Sequence, residues 1–376
     1  MLSRPSSLLF ILLGALAFSA MALGGDIRLG FSQEIGYDGH ITSEGRSTSD
    51  VYSKTAFRIG LSHPVMAFDN KLVFNPILGL SFLKYRELSE LDTVGLDLSG
   101  PLTLQLEGVG DESDSLRLSA DMKRDTGAVS VGNTQQALRT DLRFRGLYTR
   151  HWRSPRWKSE FGYQYLQRLY DDVALQDRDS TTHTLSAALL YGLNRAVNVG
   201  LRTSYAMEAF SGGQYLDSDT LGIESLVRWQ MTGKVESELA IGREMVSYED
   251  GGSDAGITLR GALDYQVTPR WQCLATVRRG FDAADSPNEP ANTTTSGNVT
   301  VAYRFTPTLT GKVTPGMRSQ TGDAEITERT CVVGATYAFR LFDLTLQTGV
   351  TDRTSDRGGD DTYTAMDAAL RVDVDF

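Results

Sequence analysis

The chain has 376 residues, with 37 Lys and Arg against 47 Asp and Glu, so its formal net charge at pH 7 is −10. Because an acidic chain repels phosphate backbones, this balance excludes a typical nucleic-acid-binding protein. The mean hydropathy of −0.24 still permits a membrane protein that keeps large polar surfaces.

The first 22 residues predict a secretory signal peptide. Arg4 gives a basic start, Leu8–Ala17 is a short apolar run, and Ala20–Ala22 has the small-x-small pattern of a cleavage site. We therefore expect a signal at 1–22 and a mature chain at 23–376. No apolar run in the mature chain is long enough for a membrane-spanning helix, which excludes a helical membrane protein.

Apolar and polar residues alternate in segments along the whole mature chain, and this period of two predicts β-strands with one apolar face. The series begins at Ile27–Tyr37, is ambiguous over 126–136, and becomes regular from Leu138. We count about eighteen strands, with sixteen as the alternative, and an even number suits an antiparallel barrel whose two ends lie on the same side of a membrane. The predicted fold is a single transmembrane up-and-down β-barrel at 23–376.

The connections between these segments alternate in length. Short turns centre on positions 155, 195, 233, 269, 307 and 342, and longer polar stretches at 171–182, 210–219, 249–255, 281–294 and 353–361 lie between them. This separation is typical of outer-membrane barrels, in which short turns are periplasmic and long loops are extracellular.

All four tryptophans lie within four residues of a short-turn centre. Indole rings prefer the boundary between membrane and water, so we expect an aromatic girdle at the short-turn end. The predicted girdle residues are Trp152, Trp157, Trp229 and Trp271.

The last fifteen residues, Thr362–Phe376, alternate most clearly. Met366, Leu370 and Val374 lie in the apolar row, which ends on the terminal Phe376, and mostly charged or small residues stand between its members. The stretch resembles the closing strand of Gram-negative outer-membrane barrels, and that resemblance implies that Phe376 is an assembly signal.

The sequence contains no nucleotide-binding loop, zinc-ligand spacing or nucleophile elbow, so we expect no enzyme, no cofactor and no metal site. His183 follows Asp177 and Asp179, and we prefer an ordinary strand-end histidine over a protease-like Asp/His pair. Aspartates in the long loops could hold cations that bridge to lipopolysaccharide, but their spacing fits no calcium loop. Cys273 and Cys331 fall on strands about 14 Å apart, so we expect no disulfide.

Charged residues occupy the face opposite to the apolar row. Charges on a lipid face would cost about 2–4 kcal/mol each at the bilayer midplane, so this face is predicted to be the lumen. A wide barrel with such a lumen favours a water-filled pore, whereas ion pairs that merely fill the wall are the alternative. The predicted pore-lining residues are Arg143, Arg145, Arg202, Arg228, Arg260, Arg304, Arg371, Glu224, Asp264 and Asp367.

Taken together, the signal peptide, the hairpin period and the terminal Phe376 resemble the Gram-negative outer-membrane β-barrel porin superfamily, over the whole mature chain. The resemblance implies an outer-membrane channel for small hydrophilic solutes or saccharides, with membrane lipid, lipopolysaccharide and the barrel-assembly machinery as partners. It leaves homo-oligomerisation open. The alternatives are a structural or export-associated barrel linked to exopolysaccharide secretion and, third, an enzyme acting at the outer rim.

Overall fold

The computed structural model describes residues 26–43, 46–67, 70–74, 76–89, 92–105, 114–131, 133–152, 154, 156–212, 215–230, 233–282, 292–322, 325–356 and 362–376. The predicted signal peptide lies outside these residues. The described residues form one antiparallel sheet. Its strands are β1 (Asp26–Ser43), β2 (Arg46–Ala67), β3 (Asn70–Phe74), β4 (Ile77–Tyr85), β5 (Thr93–Gln105), β6 (Ser115–Val131), β7 (Asn133–His151), β8 (Trp157–Tyr170), β9 (Ser180–Gly192), β10 (Val197–Phe210), β11 (Ser218–Gln230), β12 (Val235–Tyr248), β13 (Ser253–Gln266), β14 (Trp271–Asp282), β15 (Asn292–Arg304), β16 (Leu309–Thr321), β17 (Ile326–Ala338), β18 (Asp343–Ser355) and β19 (Tyr363–Asp375).

The sheet closes on itself through the first and last strands. Along β1 and β19 the pairing runs from Gly30 opposite Asp375 to Tyr37 opposite Ala368. Beyond it, the backbone N–H of Phe376 donates to the carbonyl of Leu29 at 2.8 Å. Because β3 and β4 both pair with β2 and β5, they are two parts of one wall strand, and the barrel has 18 strands. The predicted fold is confirmed.

Alternation along each strand sorts the side chains onto two faces. In β10, for example, Leu201 and Tyr205 lie on the outer face and are 61% and 38% exposed, whereas the intervening Arg202 and Ser204 are half-buried. Such exposed apolar rows suit contact with lipid rather than water. The part of the chain that the structure describes contains no helix long and apolar enough to cross a bilayer.

Three segments differ from a simple strand-and-turn pattern. The ambiguous region 126–136 belongs to a long β6–β7 hairpin, in which Thr126 pairs with Leu138 and Val131 with Asn133. The wall strand that follows β2 is divided into β3 and β4. Within β16, Pro315 lacks the N–H that a ladder needs, and the pairing with β15 is interrupted there.

The end of the barrel with long connections is partly covered. The loop between β8 and β9 forms a 3-10 helical turn, Val173–Arg178. The Arg178 side chain donates to the hydroxyl of Tyr215 at 2.6 Å, which joins this loop to the next long loop. Separately, β1 approaches β7 with Cα atoms within 8 Å, although four wall strands separate them, so the interior is narrowed between these two strands.

We expect Leu201→Arg to lower the free energy of unfolding by about 2–4 kcal/mol, because it places a charge on the lipid face near the middle of β10. Ser204→Arg is the matched control, since it adds the same charge to the inner face and should cost less than about 1 kcal/mol. Urea unfolding in lipid vesicles measures both. Equal losses would contradict the assignment of the two faces.

Candidate functional site

The inner face is identified by ion pairs between strands that are not neighbours. Arg228 of β11 donates to both carboxylate oxygens of Glu160 of β8, at 2.7 and 3.0 Å. These strands lie three positions apart, which is about 14 Å along the wall. Side chains can close that distance only on the concave side of a curved sheet, so these two residues project into the lumen.

The same pair belongs to a continuous series of ion pairs, which we call the lumen ladder. It alternates in sign and crosses β8 and β10–β13. Its contacts are Lys158–Glu160 at 2.9 Å, Arg228–Glu160 at 2.7 Å, Arg228–Glu238 at 2.6 Å, Arg202–Glu238 at 2.8 Å, Arg202–Glu224 at 3.5 Å, Arg260–Glu224 at 3.2 Å and Arg260–Glu244 at 3.1 Å. Four cations and four carboxylates make the ladder neutral.

An apolar cluster lies on the same inner wall. Leu190 and Leu226 are each 1% exposed, and Ala240 is 0% exposed, although all three point toward the lumen. Both leucines stand opposite Gly200, where an added Cβ would lie 2.2 Å from the carbonyl oxygen of Leu189. These small and apolar residues therefore lie beneath the long side chains of the lumen ladder. The ladder side chains form a layer over this wall, and that layer narrows the lumen on the β8–β13 side.

The neighbouring wall has a different charge balance. At the inward positions of β6 and β7 whose side chains the structure describes there are five cations and two carboxylates, and we call this set the basic wall. Its members are Arg117, Asp121, Lys123, Arg139, Asp141, Arg143 and Arg145. Asp141 pairs with Arg139 at 3.0 Å and lies 3.7 Å from Arg168 of β8. Among the described residues, neither Arg143 nor Arg145 has an ion-pair partner, and the buried Nε of Arg143 has no hydrogen-bond acceptor.

The predicted pore-lining residues all fall on this inner face, by the strand register. The structure brings Arg202, Arg228, Arg260 and Glu224 together in the lumen ladder. The other predicted residues are not part of it. Arg371 pairs with Asp373, Asp264 accepts from Gln272 at 3.1 Å, Asp367 accepts from the N–H of Gly39 at 3.0 Å, and Arg304 lies exposed at the end of β15. Their role in lining an open pore remains a prediction.

The four tryptophans lie on the outer face at the short-turn end and are 41–50% exposed. Trp157 packs against Tyr191 with ring centroids 4.9 Å apart, and Trp271 packs against Tyr303 at 4.5 Å. The guanidinium of Arg150 lies 5.0 Å over the ring of Trp152. Aromatic rings thus cluster at one level of the outer wall, as expected of an interface girdle.

The other candidate residues have ordinary surroundings. His183 lies on the outer face, where its Nδ1 is 2.9 Å from the hydroxyl of Tyr163 and its ring meets Tyr165 edge-on. Asp179 instead accepts from the N–H of Tyr170. Cys273 and Cys331 are free, on β14 and β17. Nothing in these contacts assembles a protease-like Asp/His pair.

Sequence reasoning missed two sets of charged residues. Lys158 and Glu244 join the lumen ladder. Glu244 could not be recognised because its partner Arg260 lies on the next strand, whereas Lys158 stands two residues from Glu160 and has the same parity. Arg243, Arg279 and Arg329 lie on the outer face, in register with apolar residues of that face. For Arg243 a signal was available, since it has the same parity as Leu239, Ile241 and Met245.

A closed barrel of 18 strands with charges inside and apolar rows outside defines a transmembrane β-barrel, and the predicted resemblance is confirmed for the fold. The chain is similar to OccK2 (OpdF) of Pseudomonas aeruginosa in complex with glucuronate, with a TM-score of 0.51 and 9% identity over 94% of this chain and 98% of that chain. It is also similar to the outer membrane protein opdK of P. aeruginosa, with a TM-score of 0.50 and 12% identity over 93% and 98%.

A third similar structure, the FrpB iron transporter of Neisseria meningitidis, gives a TM-score of 0.49 and 12% identity over 92% of this chain. The present chain spans 65% of that transporter. No family model and no curated protein matches the sequence.

The lumen ladder predicts coupled effects of mutation. Arg228→Met should lower the free energy of unfolding by about 2–3 kcal/mol, because Glu160 and Glu238 each lose a cationic partner. The expected loss is smaller than that for breaking a fully buried ion pair, because the Arg228 side chain is 27% exposed. Adding Glu160→Gln should restore about 1 kcal/mol or more of that loss. Arg145→Met, a cation without a partner among the described residues, should change stability by less than about 0.5 kcal/mol. Urea unfolding of these variants and of Glu160→Gln alone checks this, and a loss in the double variant equal to the sum of the two single losses would contradict the coupling.

Proposed function

We propose that the protein is an outer-membrane channel through which small hydrophilic solutes or saccharides diffuse passively. The single observation that supports this best is the charged inner face of a closed 18-strand wall. Barrels of this strand number are wide enough to hold an aqueous channel, whereas eight-stranded barrels are filled by their own side chains. Fixed charges on the inner face would then select solutes by charge as well as by size.

The two inner walls would contribute differently to that selection. The lumen ladder is neutral, and its groups already bind one another, so it offers little to a passing ion. The basic wall has an excess of cations, and Arg143 and Arg145 lack partners among the described residues. A guanidinium group without a carboxylate partner is a good ligand for a carboxylate or phosphate. We therefore propose that the channel favours anionic over cationic solutes.

The proposal is tested by reconstitution into planar bilayers. We expect stepwise conductance and a permeability ratio that favours chloride over potassium. Arg143→Gln combined with Arg145→Gln should lower that ratio about two-fold or more, because it removes two cations that lack ion-pair partners in the described part of the chain while the wall remains intact. Arg202→Gln combined with Glu238→Gln is the matched control, since it removes one charge of each sign from the ladder.

Competition experiments can then compare an acidic with a neutral sugar. Glucuronate is a suitable first solute because the similar OccK2 structure contains it, and glucose is its uncharged counterpart. Glucuronate should block ion current more strongly than glucose in the wild-type channel, and the difference should shrink in the Arg143→Gln, Arg145→Gln variant. A barrel that is correctly folded but tight to ions would overturn the channel and favour the export-associated alternative.

A further inference from the structure

The outer wall carries a groove across β12–β16 with a volume of about 680 Å³. Its floor is formed by small residues, Gly261, Ala275 and Gly297, and its sides include Leu239, Val299 and Met317. The last three are 40–52% exposed, so the groove opens outward and not into the lumen. Small floor residues between large apolar ones make a depression that suits a hydrocarbon chain.

Three outward arginines lie on the long-loop side of this groove, and we call them the arginine arc: Arg243 of β12, four residues beyond the lining residue Leu239, Arg279 of β14 and Arg329 of β17. Arg279 follows Val277, a lining residue, by one step on the same face. Arg329 stands opposite Met317, another lining residue. Among the described residues, Arg243 stands between Ile223 and Ile257 in the strand register, on a face where those two side chains are 57% and 64% exposed.

Two members of the arc, Arg279 and Arg329, lie at one level of the wall. Arg279 is eight residues from the girdle residue Trp271, and Arg329 is eight residues from Tyr337. Eight residues are about 26 Å along a strand, or about 20 Å along the membrane normal for a strand tilted by 35–45°. Since the apolar band of such a barrel is about 25 Å tall, the arc lies just inside its far edge, within reach of lipid headgroups.

The spacing within the arc also suits a headgroup with more than one anion. Arg243 stands opposite Ile257 and Arg279 stands opposite Leu259, so their Cα atoms are about 12 Å apart across β13. Arg279 and Arg329 are about 16 Å apart by the same strand geometry. Asp352 stands opposite Arg329 on the same face and accepts from Thr364 at 2.9 Å. One carboxylate beside three guanidinium groups still leaves the arc with a positive excess.

From this arrangement we propose that the groove and the arginine arc form one binding site for a phosphorylated, multiply acylated lipid of the outer leaflet, the lipid A part of lipopolysaccharide. Acyl chains fill the groove, and the arginines bind the phosphates by charge-assisted hydrogen bonds. A second copy of this chain is the weaker occupant, because it would bury arginines whose charges lack partners among the described residues. The site rests on the proposed function, since it takes the short-turn end as periplasmic.

The test uses the folded barrel in detergent, with native mass spectrometry as the readout and three probes: diphosphorylated lipid A, the same lipid without phosphates, and inorganic pyrophosphate. Diphosphorylated lipid A should bind, and the other two should bind at least about tenfold more weakly, because each lacks one half of the recognised chemistry. The variant with Arg243→Gln, Arg279→Gln and Arg329→Gln should lose about tenfold or more in affinity for lipid A.

Ala275→Leu provides a second, independent variant, because it fills the floor of the groove without changing charge, and it should weaken lipid A binding while leaving the arc in place. Arg150→Gln and Ala187→Leu are the controls: the first removes an outward arginine at the short-turn end, and the second enlarges an outward alanine on β9. Both should bind lipid A as the wild type does.

Equal affinity of the wild type, the triple variant and Ala275→Leu would overturn the site, as would a stable dimer that forms without lipid and is broken by Ala275→Leu. Pyrophosphate binding as tight as lipid A binding would show a simple anion site and would also overturn it. Conductance of the same preparations distinguishes failure of the lipid site from failure of the proposed channel. A barrel that conducts ions but does not bind lipid A selectively would contradict only the lipid site. A barrel that binds lipid A but does not conduct would contradict only the channel.

Discussion

Every backbone N–H and C=O group in a bilayer must find a partner within the protein, and that constraint determines most of this structure. A sheet satisfies it only when its first and last strands also pair, since a free edge would leave a row of unmet groups in hydrocarbon. Here the pairing of β1 with β19, continued by the bond from Phe376 to Leu29, removes that edge. Closure also gives each strand one face toward lipid and one toward the lumen. Because successive side chains point to opposite faces, apolar and polar residues must alternate along each strand.

That pattern is why the fold could be predicted from the sequence. It is a local property, so the regular alternation from Leu138 onward indicates both the strands and their faces. Prediction failed where the alternation is interrupted. The β6–β7 hairpin extends beyond the neighbouring strands, and residues at its tip need not alternate between lipid and lumen, so the region 126–136 was ambiguous. The lumen ladder could not be predicted, because Arg228 and Glu160 are 68 residues apart in sequence and meet only through the curvature of the wall.

The distribution of charge inside the barrel follows from the same closure. A lumen that is about neutral overall can still have strong local fields when its cations and carboxylates are sorted onto different walls. On β8–β13 they are interleaved and cancel over short distances, and an apolar layer with Leu190 and Leu226 lies on that wall as well. On β6 and β7 the cations outnumber the carboxylates, so the field there extends into the lumen. For a channel of the kind proposed above, this asymmetry would act on solutes more directly than the net charge of the chain.

Charged side chains on both faces of the wall must be stabilised by water or by an opposite charge, but the two faces meet this requirement in different ways. Inside, water and opposite charges stabilise an arginine, and Arg202 and Arg228 lie among glutamates. Outside, neither is available in the apolar band, so an arginine there is tolerated only near the edge of the band, where its cost falls to about 0–1 kcal/mol. Arg279 and Arg329 lie at that level. They also lie close together near a groove whose floor is glycine and alanine. An outward arginine without a binding role could occupy this level at any point around the barrel. The combination of position and grouping is what distinguishes a lipid-phosphate site from a random exception to the pattern.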